Sequence, residues 1–213
     1  MEPGRVPVTR RLAAGLGSAL STVTSAPSHA IRRTPLRENQ RTIAARRLEA
    51  LQALATELAG ALTTAQITEL LMSRGIAALR ADGAAVFIID PVAVQLVAIG
   101  WRGNAEVHAR TMATLPLDAR LPATDVARTG EPVFIEDPDT YVRRYGATFR
   151  SLGVGAPLRA VAAVPLEVDG RRFGVVGYSW NHAHPIAPDR QAFIAALARL
   201  GASAMDRGRL FDA

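Results

Sequence analysis

Apolar positions recur along this chain in two rhythms, and the change from one to the other divides it. Leu48, Leu51, Ala55, Leu58 and Leu62 follow a 3-4-3-4 spacing, one stripe of a helix that opens near Thr42. Gly60 lies near its end. Thr63 or Thr64 suits the N-cap of a second helix, where Ile67, Leu70, Leu71, Ile76 and Leu79 recur at helical spacing. Gly75 weakens that helix locally, and Asp82-Gly83 ends it. Short apolar runs then replace the helical stripes. Ala84–Ile89 reads as a central strand, Asp90-Pro91 as a turn, and Gln95–Trp101 as the returning strand. Residues 102–130 are mixed. A short helix over Ala123–Arg128 is expected to stop at Gly130, a position suited to left-handed backbone.

Pro132–Ile135 is a further short strand. Tyr141–Leu152 reads as a helix lying over the sheet, with Tyr141, Tyr145, Phe149 and Leu152 on one side. Arg159–Val168 and Arg171–Trp180 form the clearest pair, because Asp169-Gly170 between them is a strong two-residue hairpin signal. A last helix runs from Pro188 to about Phe211, with Phe193, Leu197, Leu200 and Ala204 on one stripe. The predicted class is α+β, with an antiparallel sheet of five or six strands. The terminal helices cover one face and a helical loop segment covers the other.

Before residue 42 the picture differs. Residues 1–41 are rich in Arg, Pro, Ser and Thr and show no sustained periodicity, so they are expected to form a disordered leader. Leu12–Leu20 is weakly apolar for a signal or transit peptide, and a disordered leader fits it better. The formal net charge of +6 belongs to this end. Residues 1–47 hold nine Arg against Glu2 and Glu38, whereas residues 48–213 have a balance of −1. The folded part is nearly neutral, which argues against a nucleic-acid partner. The Arg-rich leader is expected to bind acidic surfaces weakly, in a salt-sensitive way. No apolar run approaches the roughly 18 residues of a membrane span, and a cytoplasmic location is expected. Hydrophobic residues make up 49% of the 213, enough for a sizeable core, but aromatics only 5%, so alanine and aliphatic side chains must fill it. The chain has no cysteine, which excludes disulfides, thiolate chemistry and Cys-ligated zinc.

The order of elements resembles a GAF domain from about Leu48 to Ala213. The supporting segments are Ala84-Ala-Val-Phe-Ile-Ile-Asp90, Thr129-Gly-Glu-Pro-Val-Phe-Ile135, Val161-Ala-Ala-Val-Pro-Leu-Glu-Val-Asp-Gly170, Gly174-Val-Val-Gly-Tyr-Ser179 and Arg207-Gly-Arg-Leu-Phe-Asp-Ala213. None is specific alone; their order and spacing together are. The chain is most similar to GAF modules of bacterial sensor histidine kinases and serine phosphatases. The resemblance implies a sensory or regulatory module that binds a small molecule or relays a signal through its terminal helices. It also implies a partner kinase, phosphatase or transcription regulator. Fold analogy licenses this class of function and no particular ligand. No effector domain is expected within this length. The cyclic-nucleotide signature of some members requires a lysine that this chain lacks, and bilin-binding and sulfoxide-reducing members require cysteines.

Several clusters bear on chemistry. His182 and His184 could chelate a metal with Asp189 or His108, but a polar loop after a strand explains them better. Glu136-Asp137-Pro138-Asp139 lacks calcium-loop spacing and reads as a turn capping the Tyr141 helix. Gly100–Gly103 and Gly153–Gly155 read as turns. Haem has only His108 as an axial candidate. No nucleophile–base pair stands out, so no catalytic residue, metal or cofactor is expected.

For a ligand, the expected site lies between the sheet and residues 105–152. Trp101, Tyr141, Tyr145 and Phe149 are its candidate walls, and Arg144 its polar anchor. The competing reading is a dimerisation scaffold with no ligand. The resemblance implies terminal helices packed against those of a second copy, here through Leu48, Leu51, Leu58, Leu62, Leu197 and Leu200.

Overall fold

A computed structural model describes residues 35–103, 111–152 and 158–208. Most of the expected leader, His108 and the Gly153–Gly155 turn lie outside them. Helix α1 spans Pro35–Gly60, so it begins earlier than the expected Thr42. Proline at the opening of a helix removes an N–H that would have no intrahelical partner, so Pro35 starts this helix rather than breaking it. Helix α2 spans Thr64–Leu79. Thr63 caps it: its side chain accepts from the Gln66 N–H at 3.3 Å, and the Gln66 side chain accepts from the Thr63 N–H at 3.2 Å.

Strands β1 (Gly83–Asp90) and β2 (Gln95–Gly103) follow, then β3 (Thr114–Pro116), which the sequence pattern did not reveal. Helix α3 (Pro122–Thr129) ends at Gly130, whose φ of 78° is left-handed as expected. After β4 (Val133–Ile135) comes α4 (Pro138–Ser151), capped by Asp137, whose side chain accepts from the Thr140 N–H at 2.8 Å. Strands β5 (Ala160–Val168) and β6 (Arg171–Trp180) are joined by Asp169-Gly170, both at positive φ, as a type I′ turn requires. Helix α5 covers Pro188–Gly208.

The six strands form one antiparallel sheet in the order β3-β2-β1-β6-β5-β4. Side chains alternate across it, and both faces are covered. One face gathers Ala84, Val86, Ala162, Val164, Val176, Tyr178 and Trp180 under α1, α2 and α5. The other gathers Phe87, Val161, Ala163 and Val175 under α3 and α4, with Leu121, Val126, Tyr141, Tyr145 and Phe149. Residue parity puts the strand aromatics Tyr178 and Trp180 on the face under α1, α2 and α5, opposite the Tyr141 cluster. No helix among the described residues is long and apolar enough to cross a membrane.

Candidate functional site

Three small residues sit side by side in the middle of the sheet. Gly177 on β6 pairs with Ala163 on β5 and with Ala85 on β1, and Ala85 pairs in turn with Trp101 on β2. Directly opposed residues in an antiparallel sheet project to the same face. This row therefore leaves a depression between Trp101 and the helices that cross above it. Leu121, Pro122 and Ala123 at the start of α3, Tyr141 on α4 and Met112 close it over. The resulting cavity has a volume of about 80 Å³ and an almost wholly apolar lining. A single water needs ~10–15 Å³ by the same measure, and pockets for drug-sized ligands run to several hundred Å³. The space suits a molecule of a few non-hydrogen atoms.

Tyr141 supplies the main polar feature. Its side chain is buried, lines the cavity and forms no hydrogen bond among the described residues. Burial raises the pKa of this phenol, and the neighbouring Tyr145 adds to the shift, so the hydroxyl stays protonated and can donate at neutral pH. Its ring is fixed from two sides, with Tyr145 at 5.7 Å and Phe149 edge-on at 5.1 Å between centroids. Tyr145 itself points elsewhere. Its hydroxyl donates to Asp125 Oδ2 at 2.8 Å, tying α4 to α3, and burial followed by that carboxylate raises its pKa.

Of the five expected ligand contacts, the cavity brings together Trp101 and Tyr141. Tyr145 and Phe149 support the Tyr141 ring from behind. Arg144 is exposed and lies over the Tyr145 ring at 5.2 Å, on the outside of α4, so it does not reach the cavity. The walls that sequence reasoning missed are mostly alanine, glycine and aliphatic residues. Their signal was small residues in register on three neighbouring strands, and register cannot be read along a single segment.

The other clusters resolve into structure. Asp137 caps α4, and the hydrogen bonds from the Thr140 N–H and hydroxyl lower its pKa. Glu136 anchors the loop after β6: its carbonyl accepts from the His184 N–H, and its carboxylate accepts from the Ile186 N–H, both at 2.8 Å. His182 and His184 touch edge to face at 5.4 Å, but Asp189 turns away to pair with Arg47. Among the described residues no group of three side chains could hold a metal ion. The six leucines expected at a dimer interface separate as well. Leu58 and Leu197 are buried within the chain's own core, Leu51 and Leu200 are partly buried against it, and Leu48 and Leu62 are 57% and 61% exposed.

Comparison with curated proteins gives no match. Among solved structures, the chain is similar to the GAF domain of a phosphoenolpyruvate-protein phosphotransferase from Coxiella burnetii. The two share 23% identity with a TM-score of 0.68, over 79% of this chain and 98% of that one. It is also similar to free methionine-R-sulfoxide reductase from Neisseria meningitidis (17% identity, TM-score 0.65, 79% and 93% covered). A third is the GAF-B domain of DevS from Mycobacterium smegmatis (18% identity, TM-score 0.54, 70% and 97% covered). At these identities the likeness shows the fold alone. The family model for the GAF domain matches residues 61–206, from the end of α1 almost to the end of α5, and the chain belongs to the GAF domain family.

Proposed function

We propose that this GAF domain is a non-catalytic, cytoplasmic sensory module that takes up a small, mainly apolar molecule carrying one hydrogen-bond acceptor. The observation that carries the reading is the buried Tyr141, its phenol held protonated, in the lining of an almost wholly apolar cavity. An acceptor on the ligand would give this hydroxyl a hydrogen bond, typically worth about 0.5–1.5 kcal/mol net. The cavity wall is continuous with α3 and with β6, which leads into α5. Ligand entry therefore has a mechanical route to the terminal helices, and through them to a kinase, phosphatase or transcription regulator.

The test is thermal denaturation with cyclopentanone and with cyclopentane as its apolar counterpart. The ketone is expected to raise the melting temperature more than the hydrocarbon. Tyr141→Phe should erase the difference, and Ala163→Leu, which adds three carbons to the cavity floor, should abolish both effects. If neither probe nor any small metabolite shifts the melt, the sensory reading fails.

One observation favours a second reading, a dimerisation scaffold: Leu48 on α1 and Leu62 in the link from α1 to α2 stand exposed. Sedimentation of the unmodified chain and of a Leu48→Glu, Leu62→Glu variant separates the two readings. A dimer that becomes a folded monomer supports the scaffold.

A further inference from the structure

On the other face of the sheet from the apolar cavity, a cleft of about 590 Å³ opens between α1, the end of α2 and the loop after β6. Its rim is basic: Arg46 and Arg47 from α1, Arg80 from the end of α2, and Arg190 from the first turn of α5. Arg47 is neutralised by its ion pair with Asp189. Arg46, Arg80 and Arg190 form no ion pair among the described residues, although Arg190 is partly buried and donates to the Pro185 carbonyl at 3.5 Å. Burial, with Arg47 nearby, pushes the Arg190 guanidinium below its ordinary pKa despite Asp189. The C-terminal end of α2 reaches the cleft at Ala77–Leu79 and contributes only about half a negative charge. That does not balance three cations, although Asp82 and Glu136 also act on His184 at the cleft wall. Arg80 also holds the αL conformation, with φ 52°, at a C-cap where glycine is preferred. His184 forms one wall. Its ring is stacked on Trp180 at 4.6 Å, and its Nε2 is buried without a partner among the described residues.

We propose that this cleft binds a small soluble oxyanion, a phosphate or carboxylate group of a metabolite, held by Arg46, Arg80 and Arg190. Guanidinium groups suit such ligands because they offer paired donors that match two oxygens of one anion. The cleft is closed on one side by the Arg47–Asp189 pair, which joins α1 to α5. An anion held there would bridge the same two terminal helices that a signal must pass through.

The experiment is calorimetric titration of the full chain with inorganic pyrophosphate and, separately, with citrate, at constant ionic strength set by KCl. Saturable binding of one or both is expected, and the stronger of the two identifies phosphate or carboxylate as the source. Arg46→Gln and Arg190→Gln should each weaken it by about tenfold or more, with the far-ultraviolet circular dichroism unchanged. Histidine NMR adds an independent readout. The His184 imidazole titrates below its usual value through burial, Arg190 and His182, against Asp82 and Glu136. A bound anion should move that titration upward in the full chain and leave it unmoved in the Arg190→Gln variant. Ala163→Leu, on the other face of the sheet, should leave anion binding intact, so this site and the apolar cavity stand or fall separately. The proposal is overturned if neither anion binds above the KCl control, if binding survives both arginine substitutions, or if only polyglutamate binds.

Discussion

Replacing Gly75 by alanine sets two effects of opposite sign against each other. In a helix interior the change ordinarily gains about 1 kcal/mol, because glycine has the greater backbone freedom to lose. In α2, however, a Cβ at this position would lie 2.3 Å from both Cε1 and Oη of Tyr178 and 2.5 Å from Cζ. Carbon contacts settle near ~3.5–4.0 Å, so the ring must retreat by about 1 Å or more. It is not free to do so. Tyr178 is 1% exposed, and its hydroxyl donates to the Leu71 carbonyl at 3.0 Å. Overpacking costs about 1–3 kcal/mol, and withdrawing the buried hydroxyl from its acceptor costs about 1–3 kcal/mol more. Against the helical gain, Gly75→Ala is expected to destabilise the fold by ~1–5 kcal/mol. Urea unfolding followed by circular dichroism measures this as a lower midpoint with an unchanged slope. In a double-mutant cycle, Tyr178→Phe removes the Oη contact, so the pair should cost less than the sum of the two. A midpoint for Gly75→Ala that is unchanged or higher would refute the reasoning.

Gly130→Ala should cost about 1–3 kcal/mol, measured by the same unfolding, because φ is 78° there and the new Cβ would lie 2.7 Å from Arg172 Nη2. Tyr145→Phe removes the 2.8 Å bond to Asp125 and should lower stability by about 1.5–3 kcal/mol; a melt identical to that of the unmodified chain would sink this account of how α4 is held to α3. The Asp137 carboxylate has a folded pKa below its ordinary value, so its contribution to stability is complete above the unfolded pKa and is lost as pH falls through the lower, folded one. Asp137→Ala should therefore melt at a lower temperature than the unmodified chain at neutral pH, and the gap should close at strongly acidic pH. A gap that widens on acidification would have the wrong sign.

Most elements were legible because each carries its own local signal. The leucine stripes, the Thr63 cap, Gly130 and the Asp169-Gly170 turn all act within a few residues of themselves. Strand β3 escaped because three residues ending in Pro116 are too few to show a period. The site was half legible. Trp101 and Tyr141 both line the cavity, because the aromatic face of α4 lies above the sheet. Arg144 lies outside the cavity lining because helical phase puts it on the outer side of α4, next to a tyrosine that faces inward. The floor was invisible for a different reason. Ala85, Ala163 and Gly177 form a cavity only because strands far apart in sequence set them in one row. The basic cleft likewise joins Arg46 and Arg47 of α1, Arg80 at the end of α2 and Arg190 of α5, and only tertiary packing makes them neighbours.

The doubly covered sheet has a consequence for how the chain guards against misfolding. In a sheet with one wet face, a strand that slips by one residue exposes apolar side chains and buries polar ones, so water itself rejects the error. That check is largely missing here. A one-residue slip of β5 would exchange Val161 and Ala163 for Ala160, Ala162 and Val164, and both sets are apolar. Proofreading must rest on bulk and on the turn. Tyr178 finds its notch at Gly75 only in the native register, and a one-residue slip of β6 would turn its ring to the cavity face, where Gly177 now sits. The two positive φ angles at Asp169 and Gly170 fix the loop at two residues before either face is covered. In this chain the hairpin turn does the discriminating that polarity does elsewhere, and the smallest side chains in the sheet carry as much information about the native pairing as the largest.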